Sequence, residues 1–465
     1  MQTARRIALI TTLLLVLIFA PMLVVGYADL SFAVLVPSAH DKSQLYEAAA
    51  QRLPWRADLY EDAGVFASDA QEYSRALTLF QTADQKGVLS SEGRFEVGGA
   101  YFFLKDDEKA IAQWTGLLDD EQVRGSASLN LVMLYHRLGR FSDEQAVLQK
   151  WLAFDPTNHY AQYAEGLLLF AQASPDAIPL LQSAASTSPS LKPNVDGLVS
   201  ALNSTLQDPS ASGRLVACGR TLAAMSEWPL AQDTFLRATQ AAPQDGLAWA
   251  WLGEAYQQTG STDPLPALEK AASLSPNAAD VHGLIGLYWQ RQRDWHKARV
   301  EFDSAAQLDP QSAIWQISLG EVYVQLGDLV KALAYYQAAV DLAPSDVQTW
   351  RALALFSVEN NVDVDGTGRE AALRAYALDP QDPQNMDILG RALSANAQWE
   401  AAEAILKKAI AADPQNAAPV LHLGLLYLQT NQPDLARQTL QSAQKLDPDG
   451  SIGAQAARVL ARYFP

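Results

Sequence analysis

The chain opens on an apolar block and continues as a long series of amphipathic segments. From Ile7 to Ala28 no side chain is charged, while Arg5 and Arg6 precede the run and Asp29 follows it. As a helix, 22 residues at about 1.5 Å each span roughly 33 Å, enough for a bilayer core. Pro21 is placed to kink this helix or to end its first part. The basic flank orients residues 1–6 to the cytoplasm and everything after Asp29 outside. The same stretch also reads as a cleaved secretory signal, with Gly26-Tyr27-Ala28 as the cleavage site, although its apolar run is longer than such signals usually have. Residues 29–56 read as a stalk that starts extended and ends as a helix.

Beyond the stalk, apolar residues recur at i, i+3, i+4 and i+7, the stripe of a helix packed on one face. The stripes come in pairs, and the pairs repeat. Pro243, Pro276, Pro310, Pro344, Pro380, Pro414 and Pro448 lie 33, 34, 34, 36, 34 and 34 residues apart. Between successive prolines stand Leu252-Gly253 and Tyr256, Ile285-Gly286 and Phe302, Leu319-Gly320 and Tyr336, Leu389-Gly390 and Leu406, Leu423-Gly424 and Leu440. The small residue lets two helices approach closely, and the proline stops the second one. One such pair cannot bury its apolar face alone, so neighbours must stack.

This pattern resembles the tetratricopeptide repeat, a helix–turn–helix unit of about 34 residues. Trp249-x2-Leu252-Gly253-x2-Tyr256 carries the first half of the repeat's signature in full. The resemblance implies an all-α solenoid of about eleven units over residues 57–450, wound as a right-handed superhelix. The register breaks at 190–211, which reads as a joint between an N-terminal array (57–189) and a C-terminal array (212–450). Residues 451–465 read as a capping helix. The resemblance also implies a concave groove lined by the first helix of each unit. There the candidate partner-binding residues are Phe95, Met133, Tyr163, Trp251, Glu254, Ile317, Glu321, Arg391 and His422. The Lys and Asn clamp with which chaperone-binding relatives hold a C-terminal carboxylate is missing. The groove therefore favours an apolar or basic segment over an acidic tail.

Composition narrows the function further. Lys and Arg number 34 against 52 Asp and Glu, a formal charge of -18, which disfavours nucleic acid as a partner. The single cysteine, Cys218, excludes an intrachain disulfide and reads as a small buried apolar residue. No HExxH, GxGxxG, phosphate-loop or GxSxG motif is present, so neither a cofactor nor a catalytic site is expected. One loop has candidate metal chemistry. Asn361, Asp363 and Asp365 alternate as in the first half of an EF-hand calcium loop, but the distal glutamate is absent, so a polar turn whose Gly and Asp residues cap the flanking helices is expected there rather than a metal site. The expected function is a non-catalytic, membrane-anchored scaffold that holds a protein or peptide on the extracytoplasmic side, in a cell-envelope, secretion, pilus or polysaccharide complex. The alternative is a regulatory or recruiting subunit of a membrane enzyme such as a glycosyltransferase.

Overall fold

The computed structural model describes residues 2–464, with side chains from Leu17 onward except that of Ile18. Among the described residues the chain is all helical and has no strand. It divides into two compact units, Met1–Ala241 and Ala242–Pro465.

The first unit begins with α1 (Gln2–Leu35) and α2 (Ala39–Arg52). Four antiparallel pairs follow: α3 (Leu59–Asp69) with α4 (Tyr73–Gln85), α5 (Ser91–Phe103) with α6 (Asp107–Thr115), α7 (Arg124–Arg137) with α8 (Phe141–Phe154), and α9 (His159–Ala171) with α10 (Ala177–Thr187). A single helix, α11 (Lys192–Thr205), precedes the fifth pair, α12 (Ala211–Ala224) with α13 (Trp228–Ala241).

The second unit holds six more pairs. They are α14 (Gly246–Thr259) with α15 (Leu265–Leu274), α16 (Ala279–Arg291) with α17 (Trp295–Leu308), α18 (Ala313–Gln325) with α19 (Leu329–Leu342), α20 (Val347–Asn360) with α21 (Arg369–Leu378), α22 (Pro383–Ala395) with α23 (Trp399–Ala412), and α24 (Ala417–Gln429) with α25 (Pro433–Leu446). α26 (Ser451–Tyr463) closes the stack.

The pairs hold together by the contact the sequence pattern implies. A large side chain of the second helix lies flat on the small residue of the first. A methyl group added to Gly286 would sit 2.6 Å from the Phe302 ring, and one added to Gly390 would sit 2.6 Å from Leu406. Between pairs, a donor near the start of the first helix closes the turn. The indoles of Trp249 and Trp350 donate to the carbonyls of Pro243 (3.0 Å) and Pro344 (2.8 Å), and Gln162 donates to Pro156 (2.7 Å). His282 Nε2 takes the same position against Pro276 at 2.9 Å. These residues thus satisfy a carbonyl at the end of the preceding repeat as well as packing.

Three segments lie outside the regular pairing. First, α1 does not stop at Ala28, and the stalk does not begin extended. The helix runs through Pro21 to Leu35, because after Pro21 no further proline occurs before Pro37 and because α2 supports its C-terminal half. Leu23 and Leu30 pack against Ala49, Ala50, Leu53 and Leu59, Gly26 meets Leu53, and Asp29 pairs with Arg52. Residues 7–16 and 18 of the expected membrane segment have side chains outside the described residues. Among the described residues no helix is long and apolar enough to cross a membrane.

Second, the register break expected at 190–211 holds the single helix α11 between four pairs and seven, while the compact units divide further on, after Ala241. α9 touches α12 and α13 directly, so α11 and the fifth pair belong to the first unit. One ionic triad reinforces that contact. His136 on α7 donates to the buried Glu144 (3.1 Å) and to Glu227 ahead of α13 (3.3 Å). Hydrogen bonds to Glu144, then to Glu227, raise the His136 pKa to about 10. The ordinary value is near 6.5. Since the folded value is the higher one, the triad stabilises fully below about pH 6.5, and that contribution is lost as pH rises through about 10. The denaturation midpoint of the first unit should therefore fall between pH 7 and 10, and His136→Gln should flatten that slope. An equal slope in the variant would assign the pH dependence elsewhere.

Third, the Asn361–Asp365 loop contains a capping turn built on Asp363. Asn361 and Asp363 adopt left-handed backbone (φ 54° and 44°), and the Asp363 carboxylate accepts from Thr367 N (3.0 Å) and Oγ1 (2.6 Å). It caps a short π-turn, Val364–Gly368, and is consumed in doing so. Among the described residues no group of three His, Cys, Asp or Glu side chains is placed to hold a metal ion.

Candidate functional site

In the second unit the first helices of successive pairs line two adjoining hollows. The first, of about 550 Å³, is bordered by Gln290, Ile317, Glu321, Arg351, Leu355, Glu359 and Gln384, among others. The other, of about 530 Å³, is bordered by Asp387, Arg391, His422 and Gln455. Leu355, Glu359 and Gln384 border both, so the hollows form one groove over α16, α18, α20, α22, α24 and α26.

Most charges in this groove are already engaged. The Arg351 guanidinium donates to Gln384 Oε1 (2.9 Å), Asn385 Oδ1 (2.9 Å) and the Asp382 carboxylate, which itself caps α22. Arg351 thereby fixes one first helix against the next. His422 Nδ1 pairs with Asp387 at 2.7 Å, and Arg391 reaches Glu359 at 3.7 Å. Gln290 donates to Glu321 (3.0 Å). The carboxylates of Glu321 and Glu359 remain exposed toward solvent, beside the half-buried apolar Ile317 and Leu355. The result is an apolar floor with an outward negative edge, bordered by carboxamides.

Four of the nine sequence-derived candidates meet in this groove: Ile317, Glu321, Arg391 and His422. Two others in the same unit are engaged structurally. Trp251 packs into the core shared by α14, α15 and α16. Glu254 is 4% exposed and holds Arg291 through two hydrogen bonds (2.5 and 2.7 Å), tying α14 to α16. The remaining three lie in the first unit. Phe95 packs against the Trp114 ring, and Met133 is 56% exposed. Tyr163 is half buried, and that burial pushes its hydroxyl pKa up. A separate hollow of about 370 Å³ in the first unit is lined instead by residues of α4 and α5, such as Thr78, Arg94 and Tyr101.

Arg351, Leu355, Glu359 and Gln384 are among the groove residues the sequence reading missed. Leu355 follows the repeat's small position, here Ala354, just as Glu321 follows Gly320. That register was the available signal, and the absence of a glycine in this unit hid it. Cys218, at the leucine position of its repeat, is fully buried, and burial pushes its thiol up to about 11, so it remains protonated.

Comparison with known sequences supports the class this geometry defines. Tetratricopeptide repeat family models match residues 217–264 and 284–347, and another matches residues 392–463. Over those stretches the chain carries tetratricopeptide repeats. It is similar to anaphase-promoting complex subunit 3 of Schizosaccharomyces pombe, 27% identical over 147 residues, which cover 31% of this chain and 22% of that protein. It is also similar to cellulose synthase 2 operon protein C of Komagataeibacter xylinus, 32% identical over 240 residues, which cover 47% of this chain and 18% of that protein. The matches thus span about a fifth of these two relatives' length. Among solved structures, yeast Tom70 aligns over 96% of both chains with a TM-score of 0.42 and 15% identity.

Proposed function

We propose that the protein is a non-catalytic, membrane-anchored scaffold whose second unit holds an extended protein segment on the extracytoplasmic side. The observation that carries this reading is the continuous groove from Gln290 to Gln455. Its half-buried Ile317 and Leu355 suit apolar side chains, and the exposed carboxylates of Glu321 and Glu359 suit Lys or Arg beside them. Carboxamides such as Gln384 can pair with a peptide backbone. The uncharged run Ile7–Ala28 supports the anchor, and Arg5 and Arg6 support the orientation. A cell-envelope, secretion, pilus or polysaccharide-assembly complex suits such a scaffold.

A double charge reversal, Glu321→Lys with Glu359→Lys, tests this reading. Both carboxylates are exposed and their contacts to Arg391 and Gln290 lie at the surface, so the loss of stability should stay near about 1 kcal/mol, while capture of the partner on intact membranes should fall by about tenfold or more. Unchanged capture would move the interface off this groove.

A second reading, a recruiting subunit of a membrane enzyme such as a glycosyltransferase, is favoured by the operon named in the 32% identical bacterial relative. On that reading, removing the chain from its membranes would lower glycosyl transfer by an enzyme on another chain.

A further inference from the structure

The way α1 leaves the body points to a second surface, one that faces lipid. Its C-terminal half is held to α2 through Leu23, Gly26 and Leu30, and Ala33 is buried, so no flexible stalk separates membrane segment and repeats. N-terminal to Gly26 the helix continues past the turn between α2 and α3, because Gly26 already meets Arg52 and Leu53 at the end of α2. Around that exit stand two aromatic side chains with little cover, Tyr27 (48% exposed) and Trp55 (53% exposed). Tyr27 adjoins Gly26, which meets Arg52 and Leu53, three and two residues before Trp55. Met22, Val24 and Val25 are exposed on the helix just below.

Lengths agree with a boundary here. Ile7 to Gly26 is uncharged, and 20 helical residues rise about 30 Å, the thickness of the hydrocarbon core. Trp and Tyr concentrate at the water–lipid interface because one end of each ring system is apolar and the other polar. Both nearby arginines are neutralised within the protein, Arg52 by Asp29 and Arg56 by Asp58 (2.7 Å).

The geometry points to a membrane seat: Tyr27 and Trp55 sit at the headgroup level of the bilayer, resting the first repeats directly on its surface through aromatic rather than ionic contacts. This rests on the reading of Ile7–Ala28 as a membrane helix. Since the arginines are paired internally, the seat takes a zwitterionic surface and needs no anionic lipid.

Quenching by brominated lipid tests this on the full chain. Of the 11 tryptophans, Trp55 is the first in sequence and the next is Trp114. The chain is reconstituted into phosphatidylcholine vesicles brominated near the top of the acyl chains. The seat predicts a quenched component of the emission that disappears in Trp55→Phe and persists in about 0.5 M salt, where the Debye length is well under 10 Å. If the chain floats with the vesicles but Trp55→Phe removes no quenching, the seat is wrong and the anchor stands; a second copy covering this face would give that result. If the chain does not float with the vesicles, the membrane reading itself fails, and the seat with it.

Discussion

Phe302→Ala should destabilise the second unit by about 3–5 kcal/mol, the range for removing a fully buried aromatic ring. The ring is 0% exposed and lies against Gly286, which has no side chain to move into the space. It belongs to the core cluster that continues through Trp315, Leu319 and Tyr336 into the following pairs. In a stack of repeats each pair is stabilised by its neighbours, so the loss should spread beyond α16 and α17. Denaturant unfolding followed by amide exchange checks this. Exchange should accelerate in α16 through α19 while the first unit keeps its protection. A change confined to α17 would mean that the pairs are less coupled than the shared core implies.

Arg351→Ala should cost about 2–4 kcal/mol for a different reason. The guanidinium holds three acceptors on or before α22, and one of them belongs to Asn385, which is 0% exposed. Removing the donor strands a buried amide oxygen and leaves the partly buried Asp382 carboxylate without its cation, and both are expensive. Arg351→Lys should recover less than half of the loss, because one ammonium cannot reach three acceptors that a planar fork spans. Equal stability of the lysine and arginine forms would show that charge alone matters at this position.

The repeats were legible because their signals are local. Gly286 and Phe302, or Gly390 and Leu406, stand 16 residues apart in one hairpin, and the proline that ends each unit recurs at nearly constant spacing. Eleven pairs follow from those contacts, as the sequence pattern implies. What was not legible depends on partners in other repeats. Glu254 reads as an open groove carboxylate until Arg291, 37 residues on, is seen to hold it. Arg351 reads as a surface cation until α22 is placed beside α20. His136 and Glu227 are 91 residues apart and meet only because α9 brings the fifth pair back onto the fourth. The Asp363 loop is the opposite case, a local signal with two uses. Its spacing suits a cation, but the left-handed backbone at Asp363 turns the carboxylate onto Thr367.

The central claim is that the groove over α16 to α26 holds a partner. Site-specific photocrosslinking on intact membranes tests it most directly, with the photoreactive group at Leu355, which borders both hollows, and at Val330, 81% exposed on the second helix of a neighbouring pair. The account predicts a discrete protein adduct from position 355, none from 330, and loss of that adduct when Glu321 and Glu359 are both changed to Lys. Adducts from 330 alone, or equal adducts from both positions, would contradict it.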